Sequence, residues 1–142
     1  MKSFGEKIKE INYKKRDGVY ALISDENGNI ATVKTPRGYF LPGGGIEAAE
    51  THKQALVREV KEEIGYSSEI GRYIGTYSMF VLGASKPIYY ELIGNFYECH
   101  IHDYLGCEVE GDHKLIWLQA KDAIKCMQLE YQAYAIKTYL NS

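Results

Sequence analysis

The sequence is poor in cysteine and proline, and it has no apolar run long enough to cross a membrane. Only three of its 142 residues are cysteines and three are prolines. An odd number of cysteines at irregular spacing argues against a disulfide scaffold, so we expect reduced thiols. The segment 1–16 is charged and lacks the apolar core of a secretory signal. We therefore expect a cytoplasmic protein without a membrane span.

The chain also lacks an excess of basic charge. Its formal net charge is −2, so no global positive field would attract a nucleic acid. A polynucleotide-binding domain is therefore disfavoured, whereas a small nucleotide substrate is not. Hydrophobic residues make up 45% and charged residues 25%, which is typical of a soluble globular protein. The length suits a single domain over residues 1–142.

A group of cysteines and histidines near residue 100 is the first candidate metal site. Its members are Cys99, His100, His102, Cys107 and His113. They lie in or just after an extended run, where alternation would place Cys99 and His102 on opposite faces of a strand. Their spacing matches no paired finger-type motif. A structural zinc site is therefore not expected.

Hydrophobic periodicity predicts a mixed α/β fold. The predicted strands are 17–23, 30–34, 66–80 (one strand or two), 88–101 and 114–118, and the predicted helices are 51–64, 120–127 and 131–140. Asn27-Gly28 is a hairpin turn signal, and segment 35–47 has the composition of a turn-rich loop. We expect a mixed sheet with the first helix on one face and the last helix on the other.

The stretch REVKEEIG, residues 58–65, places three acidic side chains at the end of the first helix. Leu56, Val60 and Ile64 recur every fourth residue, and Val57 is expected to join their apolar face. Gly65 follows as a left-handed helix stop.

The position of these glutamates is unfavourable by helix physics alone. The last turn of a helix favours cations, and like-charged neighbours three or four residues apart cost roughly 0.2–0.5 kcal/mol per pair. Glu59, Glu62 and Glu63 span an arc of about 100°. They would suit a hard divalent cation such as Mg²⁺. The alternative is a solvated acidic face in which Arg58 pairs with Glu62.

The loop before this helix, LPGGGIEAAET at residues 41–51, is rich in glycine. Pro42 fixes one backbone angle, and the glycines that follow permit a close approach of the backbone to a ligand. The loop is neither a P-loop nor a dinucleotide-binding fingerprint. Alone, it is equally typical of an ordinary glycine turn.

Taken together, the loop and the helix resemble the Nudix box, G-x5-E-x7-R-E-U-x-E-E-x-G-U, in which U is apolar. The match begins at Gly44, continues through Glu50, and ends with Arg58-Glu59-Val60-Lys61-Glu62-Glu63-Ile64-Gly65-Tyr66. Every fixed position agrees, and Tyr66 replaces the commoner aliphatic residue. The strand order resembles that of a MutT-like Nudix hydrolase over nearly the whole chain.

The resemblance implies a fold and an activity. The fold would be an α/β/α sandwich with a mixed β-sheet, in which the box, residues 44–66, forms a loop-helix-loop. The activity would be hydrolysis of a pyrophosphate bond in a nucleotide derivative, with Mg²⁺ or alternatively Mn²⁺ as the cofactor.

The resemblance also implies roles for individual residues. Glu59, Glu62, Glu63 and the Gly43 carbonyl would bind the metal. Arg58 would orient the acidic cluster through Glu50, and Glu59 or Glu62 would act as the general base. Candidates for a further metal ligand outside the box are Glu108, Glu110 and Asp112, with Glu110 placed first.

The substrate is less well defined by the sequence. A proline near position 81 would suggest ADP-ribose as the substrate, but Val81 stands there. A tyrosine near position 83 would suggest diadenosine polyphosphates, but Gly83 stands there. A nucleoside triphosphate, oxidised or not, is left by elimination. The alternative function is a non-catalytic Nudix module that binds a nucleotide and regulates. The oligomeric state stays open, a homodimer included.

Overall fold

The strands and helices of the computed structural model account for most of the chain, and residues 1–83, 88–106, 109 and 111–142 are described. The strands are β1 Lys2–Phe4, β2 Lys14–Leu22, β3 Ile30–Thr35, β4 Gly38–Phe40, β5 Gly43–Gly45, β6 Tyr66–Leu82, β7 Tyr89–Tyr104 and β8 Lys114–Leu118. The helices are α1 His52–Ile64, α2 Ala120–Cys126 and α3 Glu130–Leu140.

The strands form two sheets, whereas the sequence predicted one. The larger sheet has five strands in the order β1-β6-β7-β2-β5, and the smaller has three in the order β4-β3-β8. The larger sheet is mixed as predicted, because β1 runs parallel to β6 and β2 parallel to β7 while β6 and β7 are antiparallel. The turn at Asn27-Gly28 is present, with the Gly28 N–H donating to the Asp25 carbonyl at 3.0 Å. Next to this turn Ile30 bridges to Ser24, and β3 then pairs along its length with β8 and not with β2.

Side-chain alternation along β2 divides the interior into two cores. Val19 and Ala21 pack with α1 on one face of the larger sheet. Tyr20 and Leu22 point to the other face, where they pack with residues of α3. One helix therefore covers each face, and the predicted α/β/α sandwich is confirmed.

The helix α1 begins one residue after its predicted start and ends at the predicted stop. Thr51 caps it: the Thr51 hydroxyl accepts from the Gln54 N–H at 3.1 Å, and the Gln54 side chain accepts from the Thr51 N–H at 3.0 Å. Gly65 ends it in the left-handed region with φ of 77°, a conformation that favours glycine.

The prediction that Val57 joins the buried face of α1 is wrong. Val57 is 40% exposed. The residues of α1 that are buried are Ala55, Leu56, Glu59, Val60 and Ile64. Ala55 and Glu59 are four residues apart and therefore share a helix face. They occupy the buried position that was expected for Val57. A charged residue of the box therefore lies on the core-facing side of its helix.

Cys99 and His102, two of the candidate zinc ligands, lie on different faces of β7 as the alternation predicted. Cys99 is buried in the α1-side core, whereas His102 is exposed. Cys107 lies outside the described residues. None of the helices formed by the described residues is long and apolar enough to span a membrane.

Three short strands were not predicted. β5 consists of three glycines, which are poor strand formers, yet it pairs antiparallel with Gly18, Val19 and Tyr20 of β2. β4 lies in the segment predicted as a loop, and β1 is charged and only three residues long. Tertiary pairing, not local propensity, makes these segments extended. The pairing of β5 matters for the site because it attaches the glycine loop to the larger sheet.

Candidate active site

The Arg58 side chain binds Glu50 through two parallel hydrogen bonds. Its Nε donates to Glu50 Oε2 and its Nη2 donates to Glu50 Oε1, both at 2.8 Å. This bidentate geometry suits the planar guanidinium and is stronger than a single neutral hydrogen bond. The hydrogen bonds from Arg58 hold the pKa of Glu50 well below its usual range, at about 2.

The same guanidinium also joins the acidic cluster to the glycine loop. Its Nη1 donates to Glu59 Oε1 at 2.9 Å and to Glu62 Oε2 at 3.3 Å. Its Nη2 donates to the Gly45 carbonyl at 3.0 Å. Arg58 is therefore positioned to fix the loop and the helix relative to each other.

Glu59 lies between α1 and the glycine loop. It is only 9% exposed, and burial raises the pKa of its carboxyl even though Arg58 donates to it. A Cβ atom added at Gly44 would lie 2.6 Å from Glu59 Oε2. Gly44 thus permits an approach of backbone to carboxylate that no other residue would allow.

Glu62 and Glu63 lie on the outer part of the cluster, and they differ in exposure. The Glu62 side chain is 58% exposed, whereas that of Glu63 is 20% exposed. Glu63 Oε2 is 2.7 Å from Nδ1 of His113, which comes from the segment before β8. Sequence reasoning placed His113 with the zinc candidates and missed this contact, because the two residues are far apart in the chain.

A cleft of about 500 Å³ opens beside the glycine loop. Its lining includes Gly43, Gly44, Gly45, Glu63 and Asp112. Asp112 is therefore the one described candidate for a ligand outside the box, and its carboxylate is 3.6 Å from Nε2 of His113. Glu108 and Glu110 lie outside the described residues.

Two arginines in the lining were missed at the sequence level. The Arg16 guanidinium lies 4.3 Å from the centre of the Tyr90 ring, and its Nη2 donates to the Tyr90 hydroxyl at 3.2 Å. The Arg37 guanidinium lies 5.8 Å from the centre of the Phe40 ring. Both arginines line the cleft. For Arg16 the only signal was the basic run at residues 14–16, which does not reveal the face that its side chain occupies. Arg37 stands alone in the segment predicted as a loop.

The donor atoms near the loop agree in type with a hard divalent cation. They are carboxylate oxygens of Glu59, Glu62 and Glu63. Glu59 approaches the backbone closely because Gly44 has no side chain, and Glu63 lines the cleft beside the glycine loop. Within the part of the chain that the structure describes, no three His, Cys, Asp or Glu side chains already converge on one metal position. The carboxylates of Glu59 and Glu62 accept hydrogen bonds from Arg58 and do not converge on one metal position.

Comparison with protein families agrees with this arrangement. A family model described as the NUDIX domain matches residues 14–129. The chain belongs to the NUDIX family. The segment predicted as the Nudix box, residues 44–66, runs from the second residue of β5 through α1 to the first residue of β6.

Curated relatives of this NUDIX chain include two kinds of phosphohydrolase. CTP pyrophosphohydrolase of Escherichia coli (strain K12) is 27% identical over 114 residues, covering 75% of this chain and 78% of that protein. Human diphosphoinositol polyphosphate phosphohydrolase 2 is 28% identical over 126 residues, covering 87% of this chain and 67% of that protein. The predicted enzyme class, a hydrolase acting on phosphorus-containing acid anhydrides, is confirmed.

Solved structures share the NUDIX fold over most of their length. A NUDIX hydrolase from Nitrosomonas europaea superposes with a TM-score of 0.74 at 20% identity, covering 90% of both chains. A MutT protein from Methanosarcina mazei Go1 also gives 0.74, at 18% identity, covering 93% of this chain and 97% of that one. The prediction of a MutT-like Nudix fold is thereby confirmed.

Proposed function

We propose that this NUDIX hydrolase is a Mg²⁺-dependent pyrophosphohydrolase, for which Mn²⁺ is the alternative metal. Its substrate is a nucleoside diphosphate or triphosphate derivative, with a nucleoside triphosphate, oxidised or not, placed first. The observation that carries this proposal is the Arg58-centred cluster of Glu50, Glu59 and Glu62 against the glycine loop, beside an open cleft.

The metal would be held by the carboxylates of Glu59, Glu62 and Glu63 together with the Gly43 carbonyl. When bound, it supplies neutralisation of the phosphoryl charge and a lowered pKa for a coordinated water. Asp112 in the cleft lining is the described candidate for a further ligand. The role of Glu110 stays a prediction.

The general base is Glu59 or Glu62. A carboxylate whose pKa is raised accepts a proton more readily than an ordinary one. Burial raises the pKa of Glu59, so of the two we favour Glu59. Arg58 has a positioning role in this proposal, since its Nη1 donates to both carboxylates and orients them.

The two cleft arginines would bind substrate phosphates. A guanidinium pairs well with phosphate oxygens and keeps its charge at all relevant pH values. Arg16 and Arg37 line the same cleft as the glycine loop and Glu63. Both kinds of curated relative are named for substrates with adjacent phosphoryl groups, which supports an anionic ligand here.

Several broader proposals accompany this one. Residues 1–142 would form a single NUDIX domain that acts in the cytoplasm on a small molecule and not on a nucleic acid. The formal net charge of −2 supports the last point. A homodimer is one of the oligomeric states compatible with the sequence.

The test is turnover of a nucleotide panel with and without Mg²⁺. The panel contains the common and oxidised nucleoside triphosphates, nucleotide sugars, ADP-ribose and dinucleoside polyphosphates, and released phosphate and pyrophosphate are measured separately. We expect Mg²⁺-dependent turnover of the triphosphates, and the product pair locates the cleaved bond. Tight binding of one nucleotide without turnover of any would contradict the proposal and favour a regulatory module.

A further inference from the structure

Gln132 of α3 is a buried amide whose orientation is fixed. It is only 1% exposed, and its Oε1 accepts from the Leu41 N–H at 2.7 Å. A backbone N–H can only donate, so the atom that faces it must be the amide oxygen. The NH₂ group of Gln132 must therefore point away from Leu41.

The NH₂ group of Gln132 opens onto the cleft. Gln132 belongs to the cleft lining, and no described residue accepts a hydrogen bond from its NH₂ group. That nitrogen is also not among the polar atoms sealed from solvent without a partner. The cleft is thus the direction in which these two donor hydrogens remain available.

The surroundings of this amide favour a neutral ligand group. Apolar side chains of Val33, Leu92 and Leu129 line the same cleft. A bound ligand that covers this donor without offering an acceptor loses binding free energy. A ligand that carries an acceptor at this position is therefore preferred. Phosphates have the cleft arginines as partners, which leaves the amide for an uncharged oxygen.

Gln132 lines the same cleft as the glycine loop, but it belongs to α3 and not to the acidic helix. Its anchor, Leu41, precedes Gly43 by two residues in the printed sequence. Two residues of chain span at most about 7 Å. The anchor of the amide is thus close to the glycine loop, and the neutral charge of the amide and its apolar neighbours distinguish it from the phosphate-binding arginines.

We propose that Gln132 reads the nucleobase, donating from its NH₂ group to a carbonyl oxygen of the base. This inference rests on the proposed function and deepens it, because it names the substrate class. Guanine, cytosine and uracil carry a carbonyl oxygen and adenine does not. The preferred substrates are then carbonyl-bearing nucleoside triphosphates, and ATP is a poor one.

The first test uses the unaltered protein. The ratio kcat/KM is measured for GTP, CTP, UTP and ATP in the presence of Mg²⁺. We expect the best carbonyl-bearing nucleotide to exceed ATP by roughly tenfold, the factor that corresponds to about one net hydrogen bond. An ATP value within about twofold of the best would overturn the proposal.

The second test separates base reading from support of the glycine loop. Gln132→Met keeps the length of the side chain but removes the donor, and it also leaves the Leu41 N–H without its acceptor. If Gln132 only supports the loop, the variant lowers kcat/KM for all four nucleotides by the same factor. If Gln132 reads the base, the ratio of kcat/KM for the best nucleotide to that for ATP falls to about threefold or less. An unchanged preference would assign Gln132 to loop support alone. Gln119→Met, at an exposed position before α2, is the matched control and should leave both values unchanged.

The inference and the proposed function can fail separately. If no nucleotide is hydrolysed, the pyrophosphohydrolase proposal fails. Equilibrium binding of GTP, CTP, UTP and ATP then decides the inference by itself. Binding of a carbonyl-bearing nucleotide about tenfold tighter than ATP supports base reading by Gln132, and equal or absent binding overturns it.

Discussion

At the scale of single residues, Arg58 explains why three glutamates are tolerated near the end of a helix. The C-terminal turn of α1 disfavours negative charge. Arg58 lies one residue before Glu59 and four before Glu62, and it donates to both. Its planar fork also holds Glu50 through two bonds, which a lysine could not do. One cation thus compensates a cluster that local helix physics disfavours.

Stability toward acid should depend on Glu50. The pKa of this carboxyl is about 2 in the folded protein, below the ordinary value of 4.5. Its contribution to the free energy of unfolding is therefore complete above pH 4.5 and is lost as the pH falls toward 2. We expect Glu50→Gln to be less stable than the wild type near neutral pH, and the difference to shrink as the pH falls through this range. Urea denaturation at a series of pH values measures it.

Glu47→Gln is the matched control for this experiment. Glu47 is 3.8 Å from Arg58 but its side chain is 71% exposed, so its loss should change stability by less than about 0.5 kcal/mol. A stability difference between wild type and Glu50→Gln that stays constant from pH 5 to 2 would show that Arg58 does not lower the pKa of Glu50.

The sequence identifies some residues of the site and not others, for a physical reason. The box residues follow a fixed spacing along one loop and one helix, so their proximity could be predicted. His113 and Gln132 are brought to the site by pairing and packing of distant segments. Burial was also unpredictable for Glu59, because it depends on the packing of α1 against the glycine loop, which comes from outside the helix.

At the scale of elements, the glycine strand β5 and the helix α1 act as one unit. β5 pairs with β2, and Arg58 ties its last carbonyl to the helix. The helix and its stop could be predicted, since capping and periodicity are local signals. β5 could not be predicted, because three consecutive glycines have low strand propensity and only the neighbouring β2 makes them extended.

Two neighbouring glycines of β5 should respond differently to alanine. At Gly44 a Cβ would lie 2.6 Å from the Glu59 carboxylate, whereas at Gly45 it would meet nothing within 4 Å. We therefore expect Gly44→Ala to displace the carboxylate and lower kcat by roughly tenfold or more, since small misplacements at a reacting centre are costly. Gly45→Ala should keep most of the activity. Steady-state kinetics and circular dichroism of both variants check this.

Equal activity of the two alanine variants would contradict the account. It would mean that the close contact between Gly44 and Glu59 is not needed for turnover. A Gly44→Ala protein that does not fold would be recognised by its circular dichroism. In that case the comparison would move to Glu59→Asp, which withdraws the carboxylate from the loop by one methylene group.

At the scale of the whole molecule, the five-stranded sheet separates two cores and carries the site at its edge. The α1 core was predictable in outline from the periodicity of Leu56, Val60 and Ile64. The second sheet was not, because alternation predicts strands without predicting which strands pair. The turn after β2 therefore suggested a simple hairpin, whereas β3 joins β4 and β8.

The assignment of the core face of α1 can be tested by alanine at adjacent positions. Leu56 is fully buried and Val57 is 40% exposed. We expect Leu56→Ala to lower the free energy of unfolding by about 2–5 kcal/mol. Val57→Ala should lower it by less than about 1 kcal/mol. Chemical denaturation gives both values, and a larger loss at Val57 would mean that α1 faces the sheet with a different side.

The central claim is that the acidic cluster on α1 supports metal-dependent hydrolysis, and Glu62→Gln tests it most directly. Glu62 is mostly exposed, with a side chain 58% accessible, so the variant should fold and change the free energy of unfolding by less than about 1 kcal/mol. Glu47→Gln, beside the same arginine but outside the proposed ligand set, is the control. The measurement is kcat over a Mg²⁺ titration with the best nucleotide. We predict that Glu62→Gln lowers kcat by orders of magnitude, because a carboxylate of the proposed metal-binding set is lost, and that Glu47→Gln keeps near-normal turnover. Near-normal turnover of a folded Glu62→Gln protein would contradict the claim.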